Sequence, residues 1–334
     1  MPFHQSRQVK VLGAVVALVA LLSACAAATP APLSSSDRRT SSPPAMMATT
    51  EPTPAPTVTT PSSVRPSKRI ARPFDASAAR DLVERLAEIG PRDAVSKAYR
   101  RAASLVADEF TDLGYTVRRQ EVPVPAGVSW GVRVAGGKTV NVIADPPGFD
   151  ARRPHVVLGA HLDTVPRAPG AEDNASGVAV IVELARMLRE QPARLPVRLV
   201  AFGAEESRGS GWQWYAFGSR HFVGTLDAAQ RKAVRAMVSL DRVGRAATAV
   251  PVCHGGRGST AVADDLRDAA TIRTKACVNR ASDHVSFERV GIAAARIGSV
   301  PYDQYHSSRD VAGVVDPGQL GRSGSVVWTW LHVL

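Results

Sequence analysis

His155-Val-Val-Leu-Gly-Ala-His161-Leu162-Asp163 runs from an apolar segment straight into an imidazole and a carboxylate. The unbroken apolar stretch His155–Gly159 has the pattern of a central strand buried on both faces. The same arrangement recurs downstream. Val197–Phe202 precedes Glu205-Glu206, Ala236–Leu240 precedes Asp241, and Ala293–Ile297 reads as a further strand before Tyr305-His306. Between the strands lie segments of helical spacing, such as Ala175–Glu190, with Val178, Ile181, Val182, Leu184, Ala185 and Leu188 on one side. Asp75–Gly90, Ala94–Leu113, Ser259–Ala270 and Pro317–Val333 also read as helices. Tyr115–Val124 alternates like a strand, and Val132–Ile143 reads as one or two more, broken at Gly136-Gly137. This alternation predicts an α/β fold, a single domain with a mostly parallel mixed central sheet flanked by helices. The acidic and histidine motifs then fall at the C-terminal ends of strands, the edge where open α/β sheets build their sites.

The ends of the chain read differently. Arg7 and Lys10 precede the apolar run Val11–Leu22, of signal-peptide length and too short to span a bilayer comfortably. It closes on Leu22-Ser23-Ala24-Cys25, which resembles a bacterial lipobox whose cysteine becomes the lipidated N-terminus. Residues 1–25 are thus expected to be a lipoprotein signal, with an ordinary secretory signal as the alternative. Either implies export, to the outer face of the membrane by a lipid anchor at Cys25 or as a secreted protein. Residues 26–72, rich in Ser, Thr, Pro and Ala, bury too little apolar surface to offset ordering entropy and are expected to form a disordered tether. Residues 73–334 are the catalytic-domain candidate. The net charge of +11 comes partly from the leader and tether, and no basic stripe with interleaved aromatics points to nucleic acid. Of the three cysteines, Cys25 belongs to the lipobox. Cys253 and Cys277 are left as an even pair in an exported protein, which suggests a disulfide, with two free buried thiols as the alternative.

The chemistry follows from residue types. His161 and Asp163 stand two positions apart at a strand end, where the imidazole suits a metal and the carboxylate suits its other ring nitrogen. Asp173 precedes Asn174-Ala175-Ser176-Gly177 at a helix start and is a candidate bridge between two metals. Adjacent acids at Glu205-Glu206 repel each other unless a cation holds one; Glu206 is assigned to ligation and Glu205 to the general base. Asp241 and His306 complete the set. Taken singly, a buried histidine or an aspartate at a helix start has an ordinary structural explanation. Oxygen and imidazole donors without thiolates on one sheet edge suit a catalytic zinc site.

The series AHLD (160–163), GAEDNASG (170–177), FGAEE (202–206), SLDRVG (239–244), SDHVSF (282–287) and YHSSRD (305–310) resembles the M28 family of zinc exopeptidases, in particular the bacterial secreted aminopeptidases. The resemblance implies a zinc exopeptidase fold of phosphorylase/hydrolase-like type. It implies two zinc ions per chain, one on His161, Asp173 and Asp241 and the other on Asp173, Glu206 and His306. It further implies Glu205 as base, Asp163 as orienter of His161, Tyr305 as donor to the oxyanion, and a cis Asp173–Asn174 peptide. The reaction would release N-terminal amino acids from peptides with a free N-terminus, by attack of metal-activated water. The chain would act as a monomer that touches the membrane only through Cys25. Asp283-His284 is expected near the site without ligating, and Asp310 is expected to support the His306 loop. His155, His221, His254 and His332 are expected to be ordinary. The aromatic segment Ser207–Phe217 is longer than the resemblance leads one to expect, and reads either as a side-chain pocket or as a loop packed on its own domain. The alternatives are an M20-like peptidase, which the short Asp241–His306 interval leaves little room for, a glutaminyl cyclase or other amide hydrolase, and a surface binding lipoprotein without catalysis.

Overall fold

The structure, a computed structural model, describes residues 72–334, so the signal and all of the tether except Arg72 lie outside the described residues. Two helices open the fold. Asp75 accepts from the Ala78 N–H to start α1 (Ala76–Glu88), and Ser96 accepts from the Tyr99 N–H to start α2 (Lys97–Asp112). There follow β1 (Thr116–Val124), a short ribbon of β2 (Gly127–Ser129) and β3 (Val132–Val134), β4 (Gly137–Asp145), β5 (His155–His161), α3 (Ser176–Glu190) and β6 (Val197–Phe202). Next come α4 (Phe217–Thr225), α5 (Ala228–Ala233), β7 (Val234–Leu240), β8 (Val250–His254), α6 (Ala261–Ala269) and β9 (Thr274–Val278). The chain ends with α7 (His284–Glu288), β10 (Ala294–Ile297) and α8 (Pro317–Val333), the last capped by Asp316 with Pro317 at its first position.

The main sheet has eight strands in the order β1-β4-β6-β5-β7-β10-β8-β9. Its centre is parallel: β5 pairs with β6 and β7, and β7 with β10. The flanking β1, β4 and β8 run antiparallel to their inner neighbours, while β9 lies parallel to β8. Alternate residues of the central strands face opposite cores, as the two-residue strand period requires. Val156, Leu158 and Ala160 pack toward α1, α3 and α8, while Val157 joins Phe202, Phe222 and Phe287 beneath α4 and α7. Each such valine, leucine or phenylalanine contributes roughly 1.5–3 kcal/mol on burial, so both faces of β5 hold it in place. α3 crosses so closely that a Cβ on Gly177 would collide with the Leu240 carbonyl and the Asn174 side chain.

Strands β8 and β9, and helices α4, α5 and α7, are short elements that apolar spacing does not announce. β9 is half exposed along its length. Cys253 and Cys277 stand opposite one another in the β8–β9 register, with Cα atoms 4.4 Å apart, and are disulfide-bonded. Among the described residues no helix is long and apolar enough to cross a membrane.

Candidate metal centre

The C-terminal ends of β5, β6 and β7 and the loop after β10 converge on one buried cluster. His161 is the last residue of β5, and Asp241 directly follows β7. His161 Nε2 lies 3.1 Å from Asp173 Oδ1 and 3.7 Å from Asp241 Oδ1. The second oxygen of Asp173 is 3.1 Å from His306 Nε2, which in turn is 3.2 Å from Glu206 Oε1. The five side chains are each 8% exposed or less, so their charges interact through little water.

Burial opposes charge on every one of these groups; pairing outweighs it for the two histidines, Asp173 and Asp241, while burial keeps the Glu206 carboxyl raised despite His306. Asp173 and Asp241 hold His161 protonated well above its usual range, against burial. His306 is pushed up to about 10 because Glu206 and Asp173 outweigh its burial. Hydrogen bonds from the two imidazoles hold Asp173 below the carboxylate range despite burial. Asp241 is burdened by burial too, but Arg296, 3.0 Å away, and His161 hold it well below. Glu205 has no such partner: burial raises it well above the usual range, with His161 offsetting only part.

The donor set fits zinc. Ligating atoms of His161, Asp173 and Glu206 lie within 4.8 Å of one another. Glu206 Oε1, Asp241 Oδ1 and His306 Nδ1 are buried, and none takes part in a properly aligned hydrogen bond. Buried carboxylates without aligned donors are costly unless a cation serves them, and imidazole with carboxylate is the donor chemistry of catalytic zinc.

Supporting bonds run from side chains to backbone. The expected partner of the Asp163 carboxylate is the ring of His161, yet the two stand 3.8 Å apart. His161 Nδ1 instead lies 3.1 Å from the Asp163 carbonyl oxygen. The carboxylate is occupied by the N–H groups of Glu205, at 2.9 Å, and Glu206, at 3.1 Å. Asp163 thus ties the end of β5 to the turn after β6. Asp310, expected under the His306 loop, accepts from the N–H groups of Glu172, at 2.9 Å, and Asp173, at 3.1 Å, and from the Tyr302 hydroxyl at 3.0 Å. The Asp173–Asn174 peptide is cis. Asn174 donates to the Leu240 carbonyl and accepts from the N–H groups of Gly177 and Arg242. Asp283 is fully buried, with neither carboxylate oxygen hydrogen-bonded, and burial pushes its carboxyl up to about 7.

The mouth of the site is aromatic. Tyr305 stacks on His306 with ring centres 3.7 Å apart, and Trp130 meets the same imidazole edge-on at 4.3 Å. Sequence reasoning missed Trp130. Its signal is the pair Trp130-Gly131 between two short strands, a two-residue hairpin turn in which both residues have positive φ, 48° and 78°. The ribbon is pinned to the loop after Glu206: the Val128 N–H donates to the Arg208 carbonyl, and Arg208 donates to Pro125 and Ala135 carbonyls and to Asp93. The aromatic segment 207–217 largely packs on its own domain. Trp212 lies against Tyr215 and beneath the Arg289 guanidinium, and Tyr215 donates to the Arg280 carbonyl.

Residues 141–331 match the description of peptidase family M28. The aminopeptidase YwaD of Bacillus subtilis is 30% identical over 201 residues, covering 56% of this chain and 43% of that protein. The chain therefore spans less than half the length of that curated relative. Among solved structures, a zinc aminopeptidase from Bacillus subtilis superposes with a TM-score of 0.69 at 20% identity, covering 78% of this chain and 95% of the other. A glutaminyl cyclase from Bacteroides thetaiotaomicron superposes with a TM-score of 0.68 at 20% identity, covering 78% and 99%. At these identities the structures establish a shared fold.

Proposed function

The chain belongs to peptidase family M28, and we propose that it is a zinc aminopeptidase, releasing N-terminal amino acids from peptides with two zinc ions per chain. The observation that carries this reading is the position of Asp173, whose two oxygens each lie 3.1 Å from a different imidazole. His161, Asp173 and Asp241 would hold one ion, and Asp173, Glu206 and His306 the other. When bound, such ions supply Lewis acidity and a water acidified toward neutral pH.

The chain's own residues position the substrate and move protons. Glu205, raised by burial above the usual carboxylate range, suits a group that takes a proton and returns it to the departing amine. Tyr305, beside His306, is the donor for the oxyanion. Asp163 fixes the backbone of Glu205 and Glu206 together, so base and ligand keep one spacing. The concentration of carboxylates favours a substrate ammonium, which explains a requirement for a free N-terminus. His161 and Asp241 give the site a complete second set of donors, which supports hydrolysis over the cyclase reading.

The Leu22–Cys25 sequence supports export, either with a lipid anchor at Cys25 on the outer face of a bacterial membrane or by secretion. Residues 26–72 would act as the tether of a monomeric domain. The test compares zinc-loaded protein on leucyl p-nitroanilide, its N-acetylated twin and a peptide with N-terminal glutamine. Hydrolysis of the free-amine substrate alone supports the proposal. Cleavage of the blocked amide points to another amidohydrolase, and cyclisation of the glutaminyl peptide without hydrolysis points to a cyclase.

A further inference from the structure

Arg242 is set apart from the other arginines buried around the site. Arg92 gives its donors to the carbonyls of Leu86, Leu162, Pro169 and Gly170, Arg208 to those of Pro125 and Ala135, and Arg296 to those of Asp241 and Ala281. These guanidiniums fasten loops. Arg242 makes one side-chain hydrogen bond of this strength, from Nη2 to Ser299 Oγ at 2.7 Å, and Nη1 has no hydrogen-bond partner among the described residues.

Its place is nonetheless fixed. The residue follows Asp241 with a left-handed φ of 59°, its N–H bonds Asn174 Oδ1 at 3.2 Å, and its carbonyl accepts from the Ser299 N–H at 3.0 Å. The guanidinium centre sits 4.5 Å over the Tyr305 ring. Such preorganisation reduces the entropy lost on gripping a ligand. Its ion pair with Asp241 is a loose one. Asp241 Oδ1 lies 3.8 Å from Arg242 Nε but 3.0 Å from Arg296 Nη2, and the same oxygen serves the metal cluster. The side chain is 15% exposed, the Tyr305 ring beneath it 38%, and Trp130, which meets Tyr305 edge-on, 52%.

We infer that Arg242 reads a substrate carboxylate beside the metal-ligand cluster, making the enzyme selective for peptides that carry a carboxylate close to the scissile bond. The inference rests on the aminopeptidase reading and narrows its substrate class. The guanidinium's planar fork is matched to this group and pairs with it more strongly than a neutral donor would. The carboxylate has two sources: the side chain of an N-terminal Asp or Glu, or the C-terminus of a dipeptide.

The test uses the whole zinc-loaded protein beside Arg242→Gln, and beside Arg242→Asn because Asn tolerates the left-handed backbone. Glutamyl and aspartyl p-nitroanilides are compared with the leucyl compound, and leucyl-leucine with leucyl-leucinamide, each as a ratio of kcat/KM. The wild type should favour the carboxylate-bearing member of at least one comparison by about 10- to 100-fold, the worth of one charged hydrogen-bonded contact. The ratio should fall toward one in both variants, with Arg242→Lys between. Which comparison responds identifies the source of the carboxylate. Ratios equal in wild type and variants overturn the inference. If the wild type cleaves none of these, the aminopeptidase reading fails instead, and calorimetry with the α-hydroxamates of glutamate and leucine decides the matter. A glutamate preference lost in Arg242→Gln upholds the carboxylate contact; equal binding of the two overturns it.

Discussion

Asp310→Asn tests how Asp173, the proposed bridge between two ions, is held. Asp310 Oδ1 accepts from the Glu172 N–H, while Oδ2 accepts from the Asp173 N–H and the Tyr302 hydroxyl. Glu172 and Asp173 are buried, 0% and 4% exposed, so water does not replace a lost partner. An asparagine has the same shape but one acceptor oxygen and one NH2. Whichever way it turns, the NH2 faces a backbone N–H, so at least one bond is lost and two donors confront each other. A hydrogen bond to a charged group contributes about 1.5–3 kcal/mol, and a buried unsatisfied donor costs about 1–3 kcal/mol. The expected loss is about 2–4 kcal/mol, a large share of the roughly 5–15 kcal/mol that keeps a domain folded. Denaturant unfolding in chelator, comparing midpoints at equal slope, measures the stability part. Competition against a chromogenic chelator measures the metal part, where zinc affinity should fall because the carboxylate of Asp173 loses its registration. A variant within about 0.5 kcal/mol of wild type, the range of ordinary surface changes, and with unchanged zinc affinity would show that Asp173 keeps its place without Asp310.

The other predictions concern the centre itself. Glu205→Gln should retain the zinc content of the wild type but lose about 10²–10⁴-fold in kcat, the range typical of a missing general base; near-normal turnover would move the base elsewhere. His306→Ala should lower zinc stoichiometry measured by elemental analysis, with the Asp173–Glu206 side losing its ion, and an unchanged count would refute the ligand map. In metal-free protein, His306 is held up to about 10, against about 6.5 for an unfolded imidazole. A raised folded value contributes stability that is fully present below about pH 6.5 and disappears as pH rises through about 10. Unfolding curves in chelator should therefore show falling stability across that window. Zinc saturation should flatten the fall, because the ion takes the place of the ring proton; a flat metal-free curve would contradict the assignment.

The central strands and the acidic motifs were legible because their causes are local. An apolar run such as Val197–Phe202 has no alternative to burial on both faces, and Glu205-Glu206 has no electrostatic reason to exist without a cation. What stayed hidden depends on tertiary context. Trp130 sits in the turn between two three-residue strands whose sequence carries almost no periodicity, and its meeting with His306 joins residues far apart in the chain. Strand β9 survives half exposed because it hangs on β8 and a disulfide, so its own residues need little apolar character. Asp310 does bond the His306 loop, through the Tyr302 hydroxyl and the Ser307 carbonyl, but its larger task is outside that loop. The sequence shows Asp310 close to His306, while the fold brings it against the Glu172–Asp173 backbone.

These supporting contacts share a physical logic. Asp163 spends its carboxylate on the backbone of Glu205 and Glu206, Asp310 on the backbone of Glu172 and Asp173, and Asn174 on the backbone of Gly177, Leu240 and Arg242. In each case a side chain from one strand end or loop fixes the main chain that carries functional residues of another. A proposed ligand held through its main chain keeps its own side-chain oxygens free for an ion. Glu206 Oε1 and Asp241 Oδ1 remain without an aligned hydrogen bond in a buried site for this reason. Had the same supporting groups bonded the ligand side chains directly, the cluster would be satisfied by protein alone and a cation would have to displace those bonds. By residue type alone, the proposed ligands and their neighbours are one class of acid. The geometry separates acids whose oxygens converge on the proposed metal site from acids that hold the backbone still.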